Sequence, residues 1–188
     1  MTILLPGIDF SAPSLYVAQQ LIGATLLVGG VGGRIVETEA YDRADPASHT
    51  FGGPTRRNAP MFGPPGRSYV YRSYGLHWCL NVVCREEGHG AGVLIRAIEP
   101  LAGLAQMRSR RGLADARLLC AGPGRLCQAL AVDAGLNDMA LDAAPFQLSA
   151  RAETPDIVAG PRIGISKAVE LPWRFGLAGS RFLSRPLR

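Results

Sequence analysis

The stretch Arg34-Ile35-Val36-Glu37-Thr38-Glu39-Ala40-Tyr41 predicts a β-strand that carries two carboxylates two positions apart. Because alternate side chains of a strand share a face, Glu37, Glu39 and Tyr41 are expected on one face together with Ile35. A carboxylate on such a mixed face is partly buried and needs a partner, for which Arg96 in an apolar strand is the candidate. The pair is either structural or holds a general base ionised beside a water.

The segments around this strand predict a sheet with a helix beside it. Residues from Ser11 to Gly30 indicate a helix that leads into a strand, whereas Asp42 to Gly66 is too rich in Pro, Gly, Asn and Asp for regular structure. Ser68 to Arg72 and His77 to Cys84 predict a hairpin, and Gly90 to Ile98 another strand. These patterns favour an antiparallel sheet.

The second half of the chain adds further helices and short strands. Leu101 to Arg111 and Arg125 to Val132 are predicted helices, and Gly122-Pro123-Gly124 before the second is either a phosphate-binding turn or a simple helix start. Phe146 to Ala150 and Arg162 to Ile165 are predicted strands. We expect one mixed α+β domain over residues 1–188, with a curved, barrel-like antiparallel sheet flanked by helices and a protruding β-hairpin.

Composition limits the class of protein. The 188 residues suit one domain. No run of ~18 apolar residues is present to predict a membrane span, and no cationic leader is present to predict export. The four cysteines form no CxxC pair, which is typical of free thiols in a reducing cytoplasm. A net charge of +5 favours an anionic partner. All basic residues except Lys167 are arginines, which reflects either phosphate recognition or a GC-rich genome.

Aromatic residues point to contact with nucleic acid bases. Tyr69 and Tyr71 are two positions apart and are expected on one face of a strand. Tyr74 falls at the predicted hairpin tip, where an exposed aromatic suits a wedge between base pairs. The three histidines and four cysteines lack the spacing of a zinc deaminase, so no metal is expected. No GxGxxG or Walker A loop is present, and we therefore predict no nucleotide cofactor.

The ordered motifs resemble those of the alkyladenine (3-methyladenine) DNA glycosylases, as a bacterial member of that family. The similarity runs through nearly the whole chain. It rests on Arg34–Tyr41, Arg57-Asn58, Met61-Phe62, Pro65-Gly66, Tyr69-Val70-Tyr71, Tyr74-Gly75, Cys79-Leu80-Asn81, Leu94–Pro100, Gly122–Leu130 and Pro161–Ile165.

The resemblance implies a role for each matching residue. Glu39 would activate water with help from Arg96, and Tyr74 would fill the gap that an extruded base leaves in DNA. The base pocket would be formed by Tyr41, His49, Tyr71 and Asn81, of which Asn81 would crowd the 2-amino group of guanine. Contacts to the DNA backbone are assigned to Arg57, Arg72, Gly75, Gly124 and Arg125.

The function implied is excision of alkylated or deaminated purines from double-stranded DNA by a monomeric, cytoplasmic, nucleoid-associated enzyme without a cofactor. Lys167, the sole lysine, is far along the chain from the pocket residues, which predicts a monofunctional enzyme that leaves an abasic site. Two alternatives stay open at this point. One is a non-catalytic module that binds damaged DNA, and the other is a hydrolase of free nucleosides that uses Glu37 and Glu39 as paired carboxylates.

Overall fold

The computed structural model describes residues 4–5 and 7–187, with side chains from residue 7 onward. Its α-helices are α1 (Ser14–Leu21), α2 (Leu104–Arg111), α3 (Ala116–Leu119) and α4 (Pro123–Leu130), with 3-10 turns at Ala59–Phe62 and Ala134–Leu136. Its strands are β1 (Leu4–Leu5), β2 (Ile8–Asp9), β3 (Thr25–Val28), β4 (Val31–Tyr41), β5 (Ser68–Ser73), β6 (His77–Cys84), β7 (Ala91–Ala102), β8 (Phe146–Ser149), β9 (Ile157–Gly160) and β10 (Arg174–Leu177).

One antiparallel sheet of eight strands organises the chain. Its order is β5-β6-β7-β4-β10-β9, with β3 joined to both β4 and β8, while β1 and β2 form a separate pair. Along one edge β4 pairs with β7, and along the other it pairs first with β3 and then with β10. The sheet curls into a half-barrel. The predicted single α+β domain with a curved antiparallel sheet is therefore confirmed.

Several predicted elements are confirmed with small shifts at their ends. The helix and strand expected within residues 11–30 are α1 and β3, and the predicted hairpin is β5–β6. The predicted helix over residues 125–132 begins two residues earlier, because Pro123 is compatible with the first helical turn. The loop after β4 is irregular apart from the 3-10 turn at Ala59–Phe62.

Two predictions about secondary structure are wrong. The helix expected from Leu101 begins only at Leu104, because Ala102 still pairs with Gly32 of β4 and the left-handed Gly103 separates strand from helix. The strand expected over residues 162–165 is irregular, since Gly164 has φ +78° and the Ile163 amide donates to a side chain of β4 instead of to a neighbouring strand. Sequence reasoning missed β1, β2, α3 and β9.

The main hydrophobic core lies between one face of the sheet and the helices. Helices α1 and α4 pack on the sheet, and α2 packs on α4. Val17 and Leu21 of α1 and Leu126 of α4 are fully buried in this core. Thr38 of β4 faces the same side, because its Oγ1 donates to the carbonyl oxygen of Ala18 at 2.9 Å. All four cysteines are buried and free, as predicted.

Two β-bulges decide which side chains of the central strands face away from this core. Ile35 is opposite Ile98, Glu37 opposite Ala97 and Thr38 opposite Ile95, so Val36 and Arg96 have no residue across from them. The bulges bring Val36 and Ala97 together in a second, smaller cluster on the far face. Bulges re-aim side chains in this way. Ile35, which strict alternation placed beside the acids, is instead buried in the main core.

Glu37 is fully buried and joins three strands to the C-terminal segment. Its Oε1 accepts hydrogen bonds from Arg96 Nε of β7 at 3.1 Å, from Arg174 Nε of β10 at 2.7 Å and from Ser184 Oγ at 2.8 Å. Its Oε2 accepts from the Ser184 amide. Both arginine side chains are almost fully buried, so this carboxylate neutralises Arg174 and shares the charge of Arg96 with Glu39.

We expect Glu37→Gln to lower the free energy of unfolding by about 3 kcal/mol, because it leaves the buried Arg174 guanidinium without its anion and leaves Arg96 with Glu39 alone. The measurement is urea unfolding followed by circular dichroism. The matched control is Glu99→Gln, which breaks a partly exposed pair with Arg34 and should cost less than about 1 kcal/mol. Equal losses in the two variants would contradict the role assigned to Glu37.

Gly33 is expected to be irreplaceable at the contact between β4 and β7. A Cβ atom added there would lie 2.0 Å from the carbonyl oxygen of Glu99, so the two backbones would have to separate. We expect Gly33→Ala to destabilise the fold by about 3 kcal/mol in the same urea assay. In the control Gly52→Ala, the new Cβ meets no atom within 4 Å, and the change should stay within about 0.5 kcal/mol.

Candidate active site

A cavity of about 610 Å³ opens beside the hairpin β5–β6. Its walls come from β4, the hairpin, β7, the loop after β4 and the irregular segment 163–167. The residues that line it are Tyr41, Pro46, Ala47, Ser48, His49, Arg57, Met61, Tyr69, Tyr71, Ser73, Tyr74, Asn81, Leu94, Arg96, Pro123, Ile163, Gly164, Ile165, Ser166 and Lys167. The structure thus brings together Tyr41, His49, Arg57, Tyr71, Tyr74, Asn81 and Arg96 from the predicted site.

Glu39 lies directly behind the cavity wall and has no exposed surface of its own. Its Oε1 accepts from the Ile163 amide at 2.8 Å and is 3.3 Å from Nη1 of Arg96, while its Oε2 accepts from the Tyr41 hydroxyl at 2.8 Å. These three partners all line the cavity. The carboxylate therefore lies behind residues that line the cavity, and three donors stabilise its negative charge.

Tyr41 is one of the wall residues in direct contact with Glu39. Burial raises the pKa of its phenol well above the ordinary range, and the adjacent Glu39 carboxylate raises it further. The phenol is therefore protonated at neutral pH and acts as the donor in its hydrogen bond to Glu39. The Arg162 guanidinium carbon lies 4.6 Å from the centroid of the Tyr41 ring.

Three aromatic rings pack together on another part of the wall. The Tyr69 and Tyr71 rings stack with centroids 5.3 Å apart, and the His49 ring meets Tyr71 edge-on at 4.5 Å. His49 Nδ1 is 3.1 Å from the Tyr69 hydroxyl. Burial lowers the pKa of His49, and the positive charge of Arg57 adds to this effect. Burial also raises the pKa of Tyr69 to about 12, so this wall carries no negative charge near pH 7.

Two asparagines form hydrogen bonds to the backbone next to these rings. The Asn58 amide nitrogen donates to the carbonyl oxygens of His49 at 2.8 Å and Gly53 at 3.1 Å, which fixes the loop. Asn81 of β6 donates to the carbonyl oxygen of Tyr69 at 3.0 Å and is 5% exposed at the cavity. The position of Asn81 is thus set by the strand pairing of the hairpin.

The hairpin tip presents apolar side chains to the outside. Tyr74 is 86% exposed and has φ +50°, a left-handed conformation that is unfavourable for a bulky residue. Leu76, which sequence reasoning did not select, is 70% exposed. Gly75 occupies the next left-handed position of the turn. A strained, exposed aromatic beside a cavity is typical of a functional site.

The residues assigned to the DNA backbone are divided among the loop after β4, the hairpin and the start of α4. Arg57 donates to the carbonyl oxygen of Arg72 at 3.0 Å, and the Arg72 guanidinium lies over the Trp78 ring. Gly124 packs so closely on His77 that a Cβ would lie 2.9 Å from its Cβ. Arg125 is exposed on α4. Pro123 lines the cavity, whereas Arg72, Gly75, Gly124 and Arg125 lie outside its lining.

Sequence reasoning missed the contribution of segment 163–167. Its alternating Ile163 and Ile165 predicted a short strand, yet this irregular segment forms the wall facing Glu39. The exposed Lys167 also lines the cavity, so its distance along the chain does not keep it from the site. Only the Pro161 and Gly164 in this stretch argued against a strand.

The part of the chain that the structure describes contains neither a metal-ligand cluster nor a helix able to span a membrane. Across residues 7–187, no three His, Cys, Asp or Glu side chains come together as a metal site requires. Among the described helices, none is both long and apolar enough to cross a membrane.

Comparison with known proteins places these features in a family. The family model described as "Methylpurine-DNA glycosylase (MPG)" matches residues 8–181. A protein of Nitrosospira multiformis is 69% identical, over 97% of this chain and 95% of its own length. A protein of Rhodopseudomonas palustris strain CGA009 is 64% identical, over 94% of this chain and 86% of its own length. Both are named "Putative 3-methyladenine DNA glycosylase". The chain therefore belongs to the methylpurine-DNA glycosylase family.

Proposed function

We propose that this protein removes alkylated or deaminated purines from double-stranded DNA by hydrolysing the N-glycosidic bond. The observation that carries the proposal is the position of Glu39, held by Tyr41, Arg96 and Ile163 at the wall of a cavity that also borders the exposed hairpin tip. Family membership supports the same reaction class. A base extruded from DNA would enter the cavity.

Glu39 activates the attacking water in this proposal. In this proposal the water approaches from the cavity, whose wall in front of the carboxylate is formed by Tyr41, Arg96 and Ile163. As the bond to the base breaks, its electrons leave with the base and C1′ acquires oxocarbenium character, which a neighbouring carboxylate stabilises. Glu39 then takes the proton of the water that bonds to C1′. Arg96 positions the water. The proposed step uses no cofactor.

The aromatic wall supplies selectivity for damaged purines. Tyr41, His49 and Tyr71 present ring surfaces to the cavity, and a positively charged alkylated purine stacks on such rings with a gain of about 0.5–2 kcal/mol. Because the pKa of His49 is lowered, its ring is expected to stay neutral and not to repel a cationic base. Asn81 would crowd the 2-amino group of guanine and so disfavour that normal base.

The hairpin opens the duplex. Tyr74 is assigned the space that the extruded base leaves, because its ring is exposed at the tip and borders the cavity. Arg57, Arg72, Gly75, Gly124 and Arg125 are assigned to the DNA backbone on either side of it. Contacts between arginines and phosphates release counterions, so we expect binding to weaken as salt concentration rises.

The reaction is proposed to stop at an abasic site. Glycosylases that also cleave the strand use an amine nucleophile, and a nucleophilic lysine is activated by desolvation or by a neighbouring cation. Lys167 lines the cavity but is exposed to solvent, so desolvation does not activate its amine. The enzyme is therefore assigned as monofunctional.

The first test is release of free base from a duplex that contains one 3-methyladenine-type lesion. We expect the wild-type protein to release the base and Glu39→Gln to be slower by a factor of about 100 or more, because it lacks the general base. Chromatography of the released base measures the rate, and Glu99→Gln is the charge-matched control that should keep it.

Three results would contradict this proposal. Binding of the damaged duplex without release would indicate a non-catalytic module. Hydrolysis of free nucleosides that is insensitive to salt and to Tyr74→Ala would indicate a small-molecule hydrolase. Full activity in a folded Glu39→Gln variant would remove the assigned base.

The second test is borohydride trapping on damaged duplex DNA, which reduces any imine between the protein and the opened sugar. We expect no covalent complex from the wild-type protein and an unchanged rate of base release from Lys167→Ala, since the amine takes no part in the proposed step. A trapped complex seen on denaturing gels would overturn the monofunctional assignment. Its loss in Lys167→Ala would identify the nucleophile.

A further inference from the structure

Arg162 is buried behind the cavity and is not part of its lining. Its guanidinium carbon lies 4.6 Å from the ring centroid of Tyr41 and 5.2 Å from that of Trp173. Its Nη2 donates to Asp45 Oδ1 at 3.0 Å, and Nη1 donates to Asp45 Oδ2 and, at 3.0 Å, to the carbonyl oxygen of Ala40. A buried ion pair is therefore placed against the ring that separates it from the cavity.

Stability alone does not explain this ion pair. Buried ion pairs are often no more stabilising than apolar side chains of similar size, because both charges lose their hydration. Arg162 Nε is also buried without a hydrogen-bond partner among the described residues, and such a donor is destabilising. The arrangement thus places a cation against an aromatic ring of the cavity wall.

We propose that the Arg162–Asp45 pair sets how strongly the pocket prefers cationic over neutral damaged bases. A positive charge near the Tyr41 ring opposes the attraction of that ring for a second cation, whereas the Asp45 carboxylate offsets this effect. The pair thus adjusts the field felt by a base on the cavity side of the ring. This inference rests on the proposed function, because it concerns the base bound in the same cavity.

The two partners should therefore act in opposite directions. Replacement of Arg162 by a neutral residue leaves the Asp45 anion near Tyr41 and favours a cationic base. Replacement of Asp45 leaves the Arg162 cation uncompensated and disfavours it. A purely structural role would weaken both kinds of base in both variants.

The experiment compares duplexes of identical sequence that contain either 7-methylguanine, which is cationic, or hypoxanthine, which is neutral. Arg162→Gln and Asp45→Asn keep hydrogen-bonding groups at both positions. Because the interaction between the two charges is partly screened, we expect Arg162→Gln to raise the ratio of the 7-methylguanine release rate to the hypoxanthine release rate roughly fivefold. Asp45→Asn should lower this ratio by a similar factor. The double variant should return close to the wild-type ratio.

The ratio is robust to partial unfolding, because both duplexes report on the same folded fraction. Arg162→Lys is the conservative control, which keeps the charge but not the planar fork. It should leave the ratio within about twofold of wild type even where both rates fall. A shift as large as that of Arg162→Gln would assign the effect to geometry. Unchanged ratios, or shifts in the same direction in Arg162→Gln and Asp45→Asn, would also overturn the inference.

A parallel measurement separates this inference from the proposed function. Equilibrium binding of the same two duplexes is measured in a Glu39→Gln background, where turnover is removed and the base is still held. Opposite shifts in the binding ratio support the inference even for a protein that releases no base. Release by the wild type with unchanged ratios would leave the glycosylase assignment intact and reject the role of the ion pair.

Discussion

The geometry of the cavity depends on the buried ion cluster of Glu37, Arg96 and Arg174. Glu37 binds Nε of Arg96, which leaves Nη1 of the same guanidinium beside Glu39. One arginine thus bridges two carboxylates of one strand, and Arg174 supplies the second positive charge that Glu37 neutralises. Two adjacent anions would otherwise repel each other in a medium of low polarity. This division leaves Glu37 with a structural role and Glu39 with the cavity.

The two bulges determine the face of the sheet on which that cluster lies. Val36 and Arg96 are the extra residues of β4 and β7, and they place Arg96 and Glu37 on the face opposite the main core. A regular ladder would keep strict alternation along both strands. The sheet therefore stabilises the domain through one face and carries the charged cluster on the other, so that apolar and charged side chains do not compete for the same face.

Much of this arrangement was predictable from local patterns. The acids two positions apart, the lone arginine in an apolar strand and the hairpin with Tyr74 at its tip each gave a signal within a few residues. The shift of Ile35 to the core and the contribution of segment 163–167 were not predictable, because both depend on contacts between residues far apart in sequence. The position of Lys167 shows the same limit, since separation along the chain says little about distance in a curled sheet.

The irregular segment after β9 resolves a conflict in the requirements on Glu39. A buried carboxylate needs donors, yet a regular strand beside it would use its amides in the ladder and would close the cavity. Gly164 in the left-handed region turns the chain away from strand geometry, which frees the Ile163 amide for Glu39 and keeps residues 163–167 at the cavity wall. The same turn begins at Arg162, whose ion pair with Asp45 ties it to the loop that carries His49. Departure from regular structure is thus what lets one acid be both stabilised and close to the cavity.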